Sequence, residues 1–328
     1  MKELCLIIPT HNRADCIEEY LERQCASAAE LGVDLILWDT STDGKTEAIA
    51  NDYRARGYSN VHYDRYDGPT DRLAIDRKVV AACRKYGEQY PYLWFSSDGT
   101  IIDLPAVFPK LKEELEKGYV LIGLGHEACP PAQRTEYTDC AALFRDCGWW
   151  LTSLTSTVYS SKLLRRAMDV LPLDSPDFRG LWLPMSVFYT IADAPFQMLY
   201  LPQAHFWTVN PRRSDSFWKV SGNALRQWGE VWCETIDALP AVYDSDKAAV
   251  LKSFDAHIHL FSVRQLVNMK PEGNLSLEKV RRYRPYIDRV TDTPVFWFYF
   301  VSIFVNRSLA GDARAIYRKI KKLKTTGA

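Results

Sequence analysis

Apolar residues along this chain come in short blocks of two kinds, and their alternation predicts an architecture. LCLIIPT (4–10) is continuously apolar and is stopped by Pro9, the mark of a strand buried on both faces. The helix after it places Ile17, Tyr20, Leu21 and the Ala-rich stretch near 26–29 on one side. Asp15 is positioned to cap it and Gly32 to end it. VDLILWDT (33–40) is a second buried strand with Asp39 at its C-terminal end. STDGKT then turns into a helix, TEAIANDYRARG, that stops at Gly57. NVHYDRY (60–66) predicts a weaker third strand, residues 71–88 a helix, and YLWFSS a strand ending at Ser96.

Strand and helix alternating in this way predict an α/β fold: an open, mostly parallel sheet with helices on both faces. Ligands of such sheets bind beyond the carboxyl ends of the strands. Three of those ends carry polar groups: Thr10-His11-Asn12, Asp39 to Asp43, and Ser96 to Asp98. If the strands are neighbours, the groups share one crevice.

Beyond residue 104 the alternation weakens. VFPKLKEELEKG (107–118) reads as an amphipathic helix, YVLIGLG as a strand, GWWLTSLTSTVYSS (148–161) as strand-like, and FQMLYLPQAHFW (196–207) as a strand beside the loop NPRRSDSFW. From about 222 the pattern turns helical. The expected organisation is therefore a catalytic-type domain over 1–221, made of halves 1–103 and 104–221, followed by a helical region over 222–328.

Composition narrows the function classes. Lys plus Arg and Asp plus Glu number 41 each, so bulk charge points to no nucleic-acid partner. The eight cysteines include no C-x-x-C pair, and several sit in apolar contexts. They read as reduced core residues suited to a cytoplasmic protein rather than as a zinc site. The apolar stretch in MKELCLIIPTHNR is too short for a signal peptide, and the run at 294–305 falls short of the ~20 residues a bilayer span needs. Walker A, G-x-G-x-x-G, G-x-S-x-G and H-E-x-x-H are all absent, which removes the commonest NTPase, dinucleotide, hydrolase and zinc-protease readings.

The chemistry then rests on a few side chains. Asp39 at a buried strand tip is either a ligand-binding carboxylate or, with Asp43, the acceptor of an Asx turn. Asp98 beside Gly99 is either turn chemistry or an oxygen ligand for Mg²⁺ or Mn²⁺ on a diphosphate. Arg72, Arg77 and Lys78 are placed to neutralise phosphate or to form a solvated helix face. His205 is a metal ligand or a packed core histidine. HIH at 257–259 diverges on a helix and does not share a metal.

Together, PTHNR, then D-x-S-T-D-G-x-T, then YLWFSSDG resemble the nucleotide-sugar half of glycosyltransferase family 2, which has the GT-A fold. The resemblance covers residues 3–103 well and 104–215 in outline. It implies that Pro9, Thr10 and Asn12, with Ser41 and Ser97 on the same loops, line the nucleotide. It implies too that Asp39 binds the base and that Arg77 or Lys78 contacts the nucleotide. Mg²⁺ or Mn²⁺ would be held by Asp98 and His205, with Arg212 and Arg213 folding over the diphosphate. The implied activity is inverting transfer of a sugar from a nucleotide donor, UDP-linked in the commonest case, to an acceptor hydroxyl of a glycan or lipid-linked oligosaccharide in bacterial surface polysaccharide synthesis.

Two positions depart from the family pattern. Ser96 stands where the first acid of D-x-D belongs, and LWLP (181–184) lacks the expected Glu-Asp base. Asp177 is the preferred base, with Asp174 and Asp193 as alternatives. The C-terminal run FWFYF and basic KIKKLK fit packing on the catalytic domain, a peripheral site on the inner face of the plasma membrane, or a homodimer interface. A different class of reading is a nucleotide-sugar-binding protein without turnover, in a polysaccharide assembly complex. A nucleotidyltransferase is disfavoured, since no Gly-rich phosphate loop follows the first strand.

Overall fold

The computed structural model describes residues 2–69, 73–125, 133–175, 178, 180–202, 224–271 and 273–305, together with the backbone of 207–209. The chain divides into two compact units, Met1–Ser214 with Ala238–Asp244, and Asp215–Asp237 with Ser245–Ala328.

The first unit is built on an eight-stranded sheet. Its strands are β1 (Leu4–Thr10), β2 (Asp34–Asp39), β3 (Val61–Arg65), β4 (Tyr92–Phe95), β6 (Leu121–Leu124), β7 (Thr135–Tyr137), β8 (Thr157–Ser160) and β9 (Met198–Leu201), in the order β3-β2-β1-β4-β8-β6-β9-β7. β3, β2, β1 and β4 run parallel, while β8 is antiparallel to both β4 and β6. β5 (Thr100–Ile102) and β10 (Trp207–Val209) form a separate antiparallel pair.

Each central strand is apolar because both of its faces are covered. Leu4, Leu6 and Ile8 of β1 share one buried cluster with Ile17, Tyr20 and Leu21 of α1 (Ala14–Glu30). α2 (Lys45–Ala55) and α4 (Leu104–Leu115) pack beside α1. A second group is formed by α3 (Ala74–Tyr86), α6 (Ser161–Val170) and α7 (Trp182–Ala192), with α5 (Cys140–Cys147) against α7. All seven described cysteines are free thiols, six of them buried.

The structure changes three expectations. The N-cap of α1 is Arg13, and Asp15 lies inside the first turn, where its charge still favours the helix dipole. The stretch 148–161 is mostly not strand. Two 3₁₀ turns (Trp150–Thr152 and Leu154–Ser156) precede β8, because Thr152 and Ser156 hydroxyls donate to the carbonyls of Trp149 and Ser153 at 2.6 and 2.7 Å. The helix expected over 107–118 starts earlier, at Leu104, with Asp103 accepting from the Ala106 N–H at 3.2 Å.

The second unit is helical, with helices Trp232–Asp237, Asp244–Ile258, Val263–Met269, Leu277–Val290 and Val295–Phe304. Trp228 stacks on Phe254 at 3.6 Å, and Arg289 forks onto both oxygens of Asp237. The helix Val295–Phe304 buries Phe298 and Val301 but leaves Phe296, Trp297, Phe300 and Phe304 exposed. No helix among the described residues is long and apolar enough to cross a membrane. The expected helix at the C-terminal end lies outside the described residues.

At the starting edge of the sheet, buried Asp34 accepts from Lys2 (2.5 Å), Tyr90 (2.7 Å) and His62 (3.1 Å). Burial alone would raise this carboxyl. Hydrogen bonds from His62, Lys2 and Tyr90 outweigh it and hold the pKa at about 2. A folded-state pKa below the unfolded value stabilises the fold above the ordinary carboxyl range and loses that contribution as pH falls toward 2. Asp34→Asn should therefore cost about 1–2 kcal/mol near neutrality, less than the full shift because Lys2 and His62 are half exposed. The gap from wild type should close between pH 4 and 2 in urea denaturation; a gap constant with pH would refute this assignment.

Candidate functional site

β1 lies between β2 and β4, so the three polar tips are adjacent, and hydrogen bonds lock them together. Thr10 pairs with Asp39 across β1 and β2, and the Ser96 N–H donates to the Ile7 carbonyl at 2.8 Å. The Thr10 carbonyl accepts three donors: the Thr40 N–H at 3.2 Å, the Thr40 hydroxyl at 3.1 Å and the Lys78 ammonium at 2.6 Å. The Thr10 hydroxyl donates to Asp98 Oδ2 at 2.9 Å. Thr10 is thus the junction of the crevice.

The loops after β1 and β2 are joined just as closely. Asn12 sits at φ 51°, a left-handed conformation that asparagine tolerates better than most side chains. From there its Oδ1 accepts from the Thr42 N–H at 2.8 Å, and its own N–H donates to the Ser41 hydroxyl at 2.8 Å. Ser41 in turn donates to Asp39 Oδ1 at 2.6 Å, and His11 Nδ1–H donates to the Thr40 carbonyl at 2.9 Å. Asn12 and Ser41 therefore build the loop; their polar atoms are turned toward their neighbours. Pro9 remains within β1, half-buried opposite Trp38.

Asp39 is fully buried. Its Oδ1 accepts the Ser41 N–H two residues on, at 2.8 Å, which is an Asx turn; Asp43 accepts the Lys45 N–H at 3.2 Å in the same way. Asp39 Oδ2 accepts from the Tyr63 hydroxyl at 3.2 Å. The turn alternative is thus the geometry present, and a nucleobase N–H reaches Oδ2 only by displacing that hydroxyl.

Lys78, buried on α3, bridges the tips of β1 and β2 through the Thr10 carbonyl and the Thr40 hydroxyl. Desolvation pulls its pKa down to about 8, opposed by the charges of Asp39 and Asp98. Its neighbour Arg77 is half-buried on the same helix. Ser97 closes the turn after β4: its hydroxyl accepts from the Gly99 N–H at 3.1 Å, and its own N–H donates to Thr155 at 3.2 Å.

Asp98 is 4% exposed and occupied on both oxygens. Oδ2 takes the Thr10 hydroxyl, and Oδ1 takes the Arg13 guanidinium at 2.7 Å, an ion pair spanning 85 residues of sequence. Arg13 was legible only as the last letter of PTHNR, since nothing in linear spacing announces a partner so far away. Asp76 and Tyr63 were missed for the same reason. Asp76, at the start of α3, accepts from the Trp182 N–H at the start of α7 at 2.7 Å.

Topology separates two of the three candidate bases, Asp174 and Asp193. β8 runs antiparallel to β4, so α6 returns from the starting edge toward the strand tips, and α7 begins at the tip end, beside the start of α3. Asp174, exposed in the link between α6 and α7, lies at the crevice end. Asp193 ends α7 just before β9, at the opposite edge of the sheet, and is not brought to the other groups. Asp177 lies outside the described residues, as do His205, Arg212, Arg213 and Arg72.

No protein-family model matches the chain, and no curated protein does. Among solved structures, S. aureus TarS 1–349 is similar, with a TM-score of 0.52 at 13% identity over 95% of this chain and 91% of that one. The same fragment in complex with UDP gives 0.52 at 12% identity, over 92% and 90% of the two chains. The fold is shared with TarS. Another TarS crystal structure gives 0.51 at 14% identity over 92% of this chain, which spans 55% of that chain's length.

The described donors do not fit a divalent cation. Mg²⁺ and Mn²⁺ take about six oxygen ligands with near-octahedral geometry. The described crevice offers two carboxylates: Asp39, whose oxygens accept from Ser41 and Tyr63, and Asp98, whose oxygens are spent on a guanidinium and a hydroxyl. Ser96 is buried with its hydroxyl directed at the Ser97 carbonyl, and no described group of three His, Cys, Asp or Glu side chains could hold a metal. A cation on Asp98 would also meet the positive charge of Arg13.

Lys78 gives the site a measurable signature. Its folded-state pKa lies below the 10.5 of an exposed lysine, so the unfolded chain binds more protons between the two values. Its contribution to stability therefore rises with pH from about 8 toward 10.5 and is lost as pH falls through about 8. Measured by urea denaturation, wild type should gain about 1–3 kcal/mol over Lys78→Met across that window. Parallel pH profiles for the two proteins would overturn the assignment.

Proposed function

We propose that the chain is a glycosyltransferase of the family 2 type, moving a sugar with inversion from a nucleotide-sugar donor to an acceptor hydroxyl. The observation that carries this reading is the convergence of Thr10, Asp39, Lys78, Asp98 and Arg13 at three adjacent strand tips. The shared fold with TarS, which has been crystallised in complex with UDP, supports it. So does the motif resemblance over residues 3–103.

In this reading the crevice orients the donor and stabilises its leaving diphosphate. Lys78 keeps one ammonium N–H without a partner among the described residues and lends positive charge beneath the diphosphate. Asp39 Oδ2 receives a nucleobase N–H in exchange for the Tyr63 hydroxyl. A carboxylate in the 171–181 segment, Asp174 or Asp177, takes the acceptor proton. The family resemblance implies Mg²⁺ or Mn²⁺, but the described donor set does not fit one, and no step here passes through it. We further assign the domains as 1–221 for transfer and 222–328 for acceptor placement. The exposed aromatic face of Val295–Phe304 supports a lipid-linked acceptor at a membrane surface.

Calorimetry with UDP and GDP, followed by a transfer assay over a panel of nucleotide sugars, tests the reading. One nucleoside diphosphate should bind in the micromolar range, and Asp39→Asn should weaken it about tenfold, as expected for one lost charge-assisted hydrogen bond. Binding of neither nucleotide would sink the reading. Binding without transfer to any acceptor would instead favour a nucleotide-sugar-binding protein without turnover.

A further inference from the structure

We infer that Arg13 is the resident cation of the crevice, and that Asp98 is its positioning residue rather than a metal ligand. The inference rests on the nucleotide-sugar reading and replaces one element of it: the diphosphate is met by a guanidinium, without a divalent ion.

The argument starts from the donors. A guanidinium carries five N–H groups in a rigid plane suited to phosphate oxygens. Arg13 spends one on Asp98 Oδ1 at 2.7 Å and a second, weakly, on the Cys16 sulfur at 3.4 Å. Its Nε–H is buried with no hydrogen-bond partner among the described residues. A buried donor left unmade is costly, and the two terminal N–H groups spent on neither Asp98 nor Cys16 remain for phosphate oxygens.

Placement agrees with that chemistry. The Asp98 side chain is 5% exposed and the Arg13 side chain 23%, so Arg13 is the more accessible partner of the pair. An anion entering the crevice therefore meets Arg13 before it meets Asp98. Arg13 is also the N-cap residue of α1, where no side chain caps the helix, so the unmade N–H groups of the first turn add to the positive field at this spot. Asp98 is held from its other side by Thr10, which leaves the ion pair one orientation. A carboxylate committed in this way holds an arginine in place and has no oxygen free to ligate a metal.

The test is titration of UDP and of GDP into the full-length protein by calorimetry, once in EDTA and once in Mn²⁺. For whichever nucleotide binds, the dissociation constant should agree within about threefold between the two conditions. Arg13→Ala should weaken binding about 10- to 100-fold in both, and Arg13→Lys, which keeps the charge but not the fork, by less. Asp98→Ala should also weaken it, and Arg13→Ala with Asp98→Ala should be no worse than Arg13→Ala alone, since both act through one contact. Circular dichroism and thermal melts confirm that each variant is folded, and Arg13→Lys supplies the comparison if the alanine variant is not.

Binding seen only with Mn²⁺ overturns this inference and leaves the glycosyltransferase reading intact. Additive losses for the two alanine substitutions overturn the positioning role of Asp98. Absence of binding in both conditions overturns the nucleotide reading and this inference together.

Discussion

The register of β1 is the constraint on which the rest depends. Held in parallel between β2 and β4, it sets Thr10 beside Asp39 and Ile7 beside Phe95. Three strand tips then end at one level, and each brings its own polar side chain. A slip of one residue would turn Leu4, Leu6 and Ile8 away from α1 and remove Thr10 from its three donors and its bond to Asp98. The apolar strands are therefore more than a core. Their burial on both faces makes the register unique, and the register assembles the crevice.

Within that crevice, charge is matched group by group. Asp98 is paired directly with Arg13, while Asp39 and Lys78 are coupled through the field, with Thr40 and Ser41 between them. Two acids and a lysine buried this deeply, beside a half-buried arginine, would each be expensive alone. Hydrogen bonds from Ser41, Tyr63 and Thr10 to the acids, and from Lys78 to the Thr10 carbonyl, fill the remaining capacity. Among the described residues, three N–H groups of Arg13 and one ammonium N–H of Lys78 are left over. Spare N–H donors on two cations set the site up for an anion.

Much of this was legible because period and composition report burial directly. β1, β2 and β4 follow from unbroken apolar runs, and Asp39 and Asp98 stand out as the acids at their ends. Three things were not legible, each for a physical reason. Arg13 was read as part of a motif because its partner is 85 residues away and only the β1–β4 pairing joins them. The stretch around Trp150 has strand composition, but its own hydroxyls bind nearby carbonyls and wind it into 3₁₀ turns. Asp193 and Asp174 look alike in sequence. Only the reversed direction of β8, which sends α6 and α7 in opposite senses, puts one at the crevice and the other at the far edge.

The serine at position 96 also acquires a reason. Ser96 is fully buried at the tip of β4, with its N–H committed to β1 and its hydroxyl turned to the Ser97 carbonyl. An acid there would bury a second carboxylate close to Asp98. Like charges at that separation force one to take up a proton unless a cation is shared between them. A divalent ion could be shared in this way, whereas the single charge of Arg13 is already matched by Asp98. With a guanidinium in place of a metal, one acid is the number the tip of β4 can hold, and a small neutral side chain at 96 is the companion that arrangement requires.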